Sequence, residues 1–222
     1  SGTAPQTYYL AGLTGSRGID LGGNSLAIGN NSYSYYPQPT YAGTISGSGG
    51  LMKVGSSTLV LSGSNSYTGP TRVAGGTLVL DNPNALAGST LDMNAADSGS
   101  LAVNGPLYSG TVNIGGLTGS RPFYLQAATV AVGGNGQSTT YAGDLIGSGT
   151  FIKQGAGTLT LTGSNLSNQS SFTGSTVVNG GALRVDGVLG TGAVAINAAA
   201  VLTGSGAGGA VTVNPGGTLM PG

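Results

Sequence analysis

Few residues in this sequence can do chemistry. It has no His, Cys or Glu, so proton transfer would fall on its six Asp, two Lys or ten Tyr. Asp92 and Asp97, in the stretch DMNAAD, are the closest pair of carboxylates along the chain. Two carboxylates on either side of a sugar are what a glycosidase uses. The plainer reading is two polar loop residues, and it is the one adopted: no catalytic residues are expected. A calcium turn of the glycine–aspartate nonapeptide type needs Gly-Gly-x-Gly-x-Asp. Residues 133–138 come nearest, but Ser138 stands where the carboxylate belongs, so no metal is expected. The string Gly15-Ser16-Arg17-Gly18 lacks the strand-to-helix setting of a phosphate loop, and no cofactor is expected. The aromatic residues are more informative. Tyr33, Tyr35, Tyr36 and Tyr41 cluster around Pro37 and Pro39. Such a loop either presents rigid amphipathic contacts to a glycan or a protein, or packs its rings over the body beneath it. These four tyrosines are the candidate surface contact. Lys53 and Lys153 read as surface residues with buried stems.

The elements that would carry these residues follow from an internal repeat. Residues 41–65 read YAGTISGSGGLMKVGSSTLVLSGSN, and residues 141–165 read YAGDLIGSGTFIKQGAGTLTLTGSN. The hexapeptide GLTGSR at 12–17 recurs letter for letter at 116–121, and Tyr67-Thr68-Gly69 returns as Phe172-Thr173-Gly174. The chain is thus about two copies of one large unit, 12–81 and 116–186, with a partial closing repeat at 187–222. Repetition of this kind marks a stacked architecture, so residues 1–222 are expected to form a single continuous body. Arg17 and Arg121 hold equivalent places in the two copies, as do Lys53 and Lys153.

Local patterns give the element type. Thr58-Leu59-Val60-Leu61 and Thr158-Leu159-Thr160-Leu161 alternate, placing their leucines on one face. The pairs Gly75-Gly76, Gly180-Gly181 and Gly216-Gly217 each precede such a run, where positive φ would turn a tight corner. Apolar residues do not recur at helical spacing over any long window. Short strands with glycine corners could build a sandwich or a coil of rungs, and the repeat favours the coil. At about 20 to 25 residues per turn it makes roughly ten rungs, with like residues stacked in ladders of Asn on Asn and Leu on Leu.

Composition bounds the function. Charged residues are only 5% of the chain, against about a quarter in ordinary globular domains. Yet 38% of residues are hydrophobic, which is enough for an ordered core rather than a disordered chain. Formal net charge is zero, with no basic stripe, so no nucleic-acid partner is expected. No apolar run is long enough to span a membrane. Any targeting segment is expected to have been removed or to lie outside these residues.

The string Gly-Ser-Gly-x-x-x-Lys-x-Gly-x-x-Thr-Leu-x-Leu-[Ser/Thr]-Gly-Ser-Asn, at 47–65 and 147–165, resembles the autotransporter-associated β-strand repeat, also called the passenger-associated transport repeat. The continuation through Gly75-Gly76-Thr77-Leu78 and the closing stretch 204–222 are similar to it too. The resemblance implies an all-β, right-handed parallel β-helix in a secreted or surface protein of Gram-negative type, serving as stalk and as an aid to export. The expected function is therefore a non-catalytic structural segment, extracellular or on the bacterial cell surface, supporting adhesion, surface display or matrix formation. Its partners would be flanking domains of a larger protein and a host or glycan ligand. A self-assembling fibre subunit stacking end to end is the alternative, and a carbohydrate-active β-helix enzyme is a third reading.

Overall fold

The computed structural model describes residues 4–29, 39–104, 110–164 and 172–222. Among them there are only strands and turns, and the strands coil into a β-solenoid of about ten turns. Eleven strands form the longest ladder: Thr7–Leu10, Ser25–Ile28, Leu51–Lys53, Thr71–Val73, Leu86–Met93, Thr111–Gly119, Thr129–Val132, Thr150–Lys153, Thr176–Val178, Val194–Ile196 and Val211–Val213. Each pairs with the next in parallel, as Ala27 with Met52 and Met52 with Arg72. No helix among the described residues is long and apolar enough to cross a membrane.

A second face carries the alternating runs. Thr40–Tyr41, Thr58–Leu61, Thr77–Leu80 and Ser100–Val103 form a four-stranded sheet in the first half. In the second half Thr139–Tyr141, Thr158–Leu161, Gly181–Val185, Ala200–Gly204 and Thr218–Pro221 stack in sequence. Short third-face pairs join Ile19–Asp20 to Ile45–Ser46 and Phe123–Gln126 to Leu145–Gly147. The two halves meet at a fault. The ladder register shifts between Leu86 and Thr90, and Ser100–Val103 does not pair with Phe123–Gln126.

Alternation places the core as expected. Leu59, Leu61, Leu159 and Leu161 are buried, while Thr158 and Thr160 are only partly covered; Val60, on the outer side, is covered as well. Leucines stack on leucines from Leu159 through Leu183 and Leu202 to Leu219. Asparagines stack likewise: Asn214 Nδ2 donates to Asn197 Oδ1 at 2.6 Å, and Asn197 Nδ2 to Asn179 Oδ1 at 2.6 Å. Each bond satisfies an amide that would otherwise compete with the strands for partners. Removing one core leucine, such as Leu183 (0% exposed), costs about 2–5 kcal/mol.

The size of a turn differs from the expected range. Successive turns take from 17 residues, Val194 to Val211, to 28, Leu86 to Ile114. Only the strand positions are held in register, so the corners are free to lengthen. The sequence repeat is therefore not one rung. Leu51–Lys53 and its copy Thr150–Lys153 lie five strands apart in the ladder.

Glycine is required where backbones nearly touch. A Cβ on Gly49 would lie 1.6 Å from the Asn24 carbonyl oxygen of the previous turn, and one on the equivalent Gly149 would lie 2.0 Å from that of Ala128. Gly76, Gly181 and Gly216 take φ of 66°, 58° and 82°, as the glycine-pair corners predict. Gly49→Ala is expected to lose about 3 kcal/mol or more of unfolding free energy. Gly12→Ala, whose Cβ would meet nothing within 4 Å, should stay within about 0.5 kcal/mol. Urea denaturation of both variants checks this, and equal effects would refute the backbone-contact account.

Candidate functional site

The interior holds several polar groups, and each is tied to a neighbouring turn. Lys53 and Lys153 are 0% and 1% exposed, which corrects their reading as surface residues. Both stand at the inward end of a strand, just before a glycine corner. Lys153 Nζ donates to the carbonyls of Gln154 at 2.8 Å, Gly155 at 3.0 Å and Gly180 at 3.0 Å, the last on the next turn. Lys53 Nζ donates to Val54 O at 2.6 Å and Gly75 O at 3.5 Å. The ammonium thus fills the acceptor sites that the tight corner leaves inside. Asn65, also buried, accepts from Ile45 N at 2.8 Å and donates to Ala85 O at 3.0 Å, bridging three turns. A buried hydroxyl relay runs from Tyr67 to Thr71 at 2.6 Å, to Ser89 at 2.7 Å, and ends on Gly69 O at 2.7 Å.

The tyrosine cluster divides. Tyr41 is 2% exposed and its hydroxyl donates to Arg17 O, so it is a core residue and not a surface contact. Its copy Tyr141 does the same to Arg121 O at 2.8 Å. Tyr33, Tyr35 and Tyr36 lie outside the described residues. The carboxylate pair divides too. Asp92 is a strand residue, stacked in register on Arg72, rather than a loop residue. Asp97 has a side chain only 2% exposed and takes Arg72 in a bidentate grip, with Nε at 2.9 and 2.8 Å and Nη2 at 2.7 Å. That hydrogen bonding, ahead of the charge itself, raises the Arg72 guanidinium above its ordinary value. A carboxylate gripped this way acts as a tie between turns. The described residues hold no group of three or more His, Cys, Asp or Glu that could bind a metal.

An opening lies at the fault between the two halves. It is a cleft of ≈ 510 Å³ between the edge of Ser100–Val103 and that of Phe123–Gln126. Ser98, Ser100, Arg121, Tyr124 and Gln126 line it, with Asp97 at its inner wall. Tyr124 is 54% exposed. Arg121 Nη1 donates to the carbonyls of Gly99 and, at 3.3 Å, Asp97, while its Nε is buried without a hydrogen-bond partner. No sequence signal marked this site, because it arises where a ladder is interrupted; the only hint was that GLTGSR recurs with different residues after it.

Burial pushes the Lys153 ammonium down to about 8 and lowers Lys53 from its ordinary value. Burial pushes Tyr67 up to about 12. Between about pH 8 and the unfolded lysine value near 10.5, the unfolded chain holds a proton that folded Lys153 lacks, so stability rises with pH. Above about pH 10 the unfolded tyrosines ionise while buried Tyr67 does not, so stability falls again. Urea midpoints are expected to climb from pH 8, peak near about pH 10 and decline beyond it. Lys153→Met should flatten the climb, and a wild-type curve falling steadily from pH 8 would refute the assignment.

Comparison with known proteins agrees with the geometry. The passenger-associated-transport-repeat family matches at residues 51–80 and 151–185, the segments that contain the buried lysines and the stacked leucines. The adhesin BmaC autotransporter of Brucella suis biovar 1 (strain 1330) is 37% identical over 172 residues, which is 77% of this chain and 5% of that protein. The Neisserial autotransporter lipoprotein NalP of Neisseria meningitidis serogroup B (strain MC58) is 41% identical over 78 residues, 35% of this chain and 7% of that protein. This chain therefore spans only 5–7% of the length of these relatives. No solved structure matches it. The repeat of this family thus matches twice, on equivalent strands five turns apart, and most of the chain is similar to a short segment of an autotransporter.

Proposed function

We propose that the chain is a non-catalytic stalk segment of a larger protein, displayed on a bacterial surface or secreted, where it supports adhesion, display or matrix formation. The observation that carries this reading is the parallel ladder that runs through all turns from Thr7–Leu10 to Val211–Val213. Ten inter-strand spacings of about 4.8 Å make a rod of about 48 Å, stiffened along its length by backbone hydrogen bonds. The similarity to the BmaC adhesin supports a place in a surface protein. The commitment of Asp97 to Arg72 supports a structural rather than a catalytic part for the carboxylates.

A second reading is end-to-end assembly of the solenoid. A head-to-tail contact between its ends does not close and would grow a filament. Negative-stain electron microscopy at two protein concentrations separates the readings. Single rods of about 48 Å at both are expected for a stalk. Filaments at the higher concentration would give the fibre reading precedence. Turnover of a polysaccharide that is abolished by Asp92→Asn would overturn the non-catalytic assignment.

A further inference from the structure

The second copy of the repeat departs from the first at one corner, and the departure lines the cleft. In the first copy the strand after GLTGSR-Gly18 reads Ile19-Asp20-Leu21-Gly22; in the second the same positions are Phe123-Tyr124-Leu125-Gln126. The backbone work is the same in both. Gly22 O accepts from Ser48 N at 2.5 Å and Gly49 N at 3.0 Å, and Gln126 O accepts from Ser148 N at 2.7 Å and Gly149 N at 2.8 Å. The conformation is the same too: φ is 55° at Gly22 and 54° at Gln126. Glycine adopts that conformation freely, and glutamine is strained in it. The fold does not ask for the strain, since the first copy performs the same turn with glycine. Strain kept where the scaffold does not need it points to a function for the side chains at that place.

The neighbouring residues say what the site would hold. Arg121 is folded into the cleft wall against the carbonyls of Asp97 and Gly99 on the preceding turn. Asp97 does not neutralise it, because both carboxylate oxygens are taken by Arg72. Arg121 is in neither of the ion pairs Arg72–Asp97 and Arg184–Asp186. Its Nε is buried without a hydrogen-bond partner. Tyr124 exposes a ring at the rim where the first copy has Asp20, so an acidic residue has given way to a flat apolar face. Ser98 and Ser100 add hydroxyls along the opposite edge. A cleft of ≈ 510 Å³ is within the usual range for small-ligand sites, about 300–1,000 Å³.

We propose that this cleft binds an acidic saccharide, with a sugar carboxylate on Arg121 and a sugar ring lying on Tyr124. Arginine offers a planar donor fork matched to a carboxylate. Tyrosine gives an aromatic face with little side-chain entropy to lose. One cation is too few for a nucleic-acid backbone, which needs a row of them. The inference does not depend on whether the rod serves as a stalk or a fibre.

Isothermal titration of the whole chain with tetragalacturonate, a hyaluronan tetrasaccharide and 3′-sialyllactose tests it, with maltotetraose and lactose as neutral counterparts and tetra-aspartate as an acidic peptide. At least one acidic saccharide is expected to bind, and its neutral counterpart to bind about tenfold more weakly or not at all. Tyr124→Ala and Arg121→Gln should each weaken binding about tenfold or more, while Tyr9→Ala leaves it unchanged. Arg121 also ties two backbone carbonyls, so its variant may be compared only after thermal unfolding shows it folded; the half-exposed Tyr124 keeps the test decisive either way. Gln126→Gly should weaken binding and yet raise the melting midpoint by about 2–4 °C, because it restores the first copy's unstrained corner. No binding by any acidic saccharide, equal binding of the neutral ones, binding of tetra-aspartate alone, or full affinity in Tyr124→Ala would each overturn the proposal.

Discussion

The parallel hydrogen bond from one turn's N–H to the C=O of its neighbour is the interaction on which the rest of this structure depends. It fixes successive turns about 4.8 Å apart along the whole ladder. Every other group must fit that spacing. Where corners bring two backbones closer than a Cβ allows, as at Gly49 over Asn24, only glycine serves. Where a corner turns carbonyls inward, a donor must reach them, and Lys53, Lys153 and Asn65 do so. Leaving those acceptors empty would cost about 1–3 kcal/mol each, which exceeds the usual net worth of a hydrogen bond. The family motif can be read in these terms: leucines fill the core, lysine caps the corner carbonyls, glycine allows the close pass and asparagine spans adjacent turns.

Much of the fold was legible because a solenoid turns sequence pattern directly into position. The alternation of Leu59 and Leu61, the glycine-pair corners and the stacking of Asn179, Asn197 and Asn214 all follow from period two and repetition. What was not legible depends on contacts about one turn away in sequence. The Arg72–Asp97 pair is 25 residues apart, and nothing in either residue's surroundings announces the other. Lysine is rarely buried, so Lys53 and Lys153 read as surface residues. Their one signal was that both copies keep lysine ahead of a glycine corner, in a chain with only two lysines. Tyr41 was grouped with Tyr33, Tyr35 and Tyr36 by closeness in sequence. The repeat separates them, since only Tyr41 has a counterpart, Tyr141, and both of these are core residues.

A chain that carries two copies of itself also contains its own comparison. Several residues that agree between copies five turns apart serve the stack: Tyr41 and Tyr141, Lys53 and Lys153, Gly49 and Gly149. Residues that differ without changing the backbone are free to serve something else. Asp20 against Tyr124 and Gly22 against Gln126 are differences of this kind, and they fall beside the interrupted ladder where a cleft can form. A fault in an otherwise regular rod is the natural place for a side chain to face outward from between turns, because only there is the next turn not in the way.

The same spacing explains why the chain carries so little charge. Side chains in register on adjacent turns sit within about 5 Å, where two like charges repel by about 1 kcal/mol even in water and by more when partly buried. A solenoid with a charged residue at the same place on every turn would line up such repulsions along its length. Here Thr40, Ser100 and Thr140 are among the exposed strand positions, and charge meets opposite or neutral neighbours: Asp92 stacks on Arg72, and Arg184 lies between Thr160 and Thr203. The five-turn length of the unit serves the same end. Lys53 and Lys153 recur only every fifth turn, about 24 Å apart, which is well beyond a Debye length of about 8 Å at physiological salt. A repeat of one turn could not keep its lysine without stacking it on itself. A repeat of five turns can.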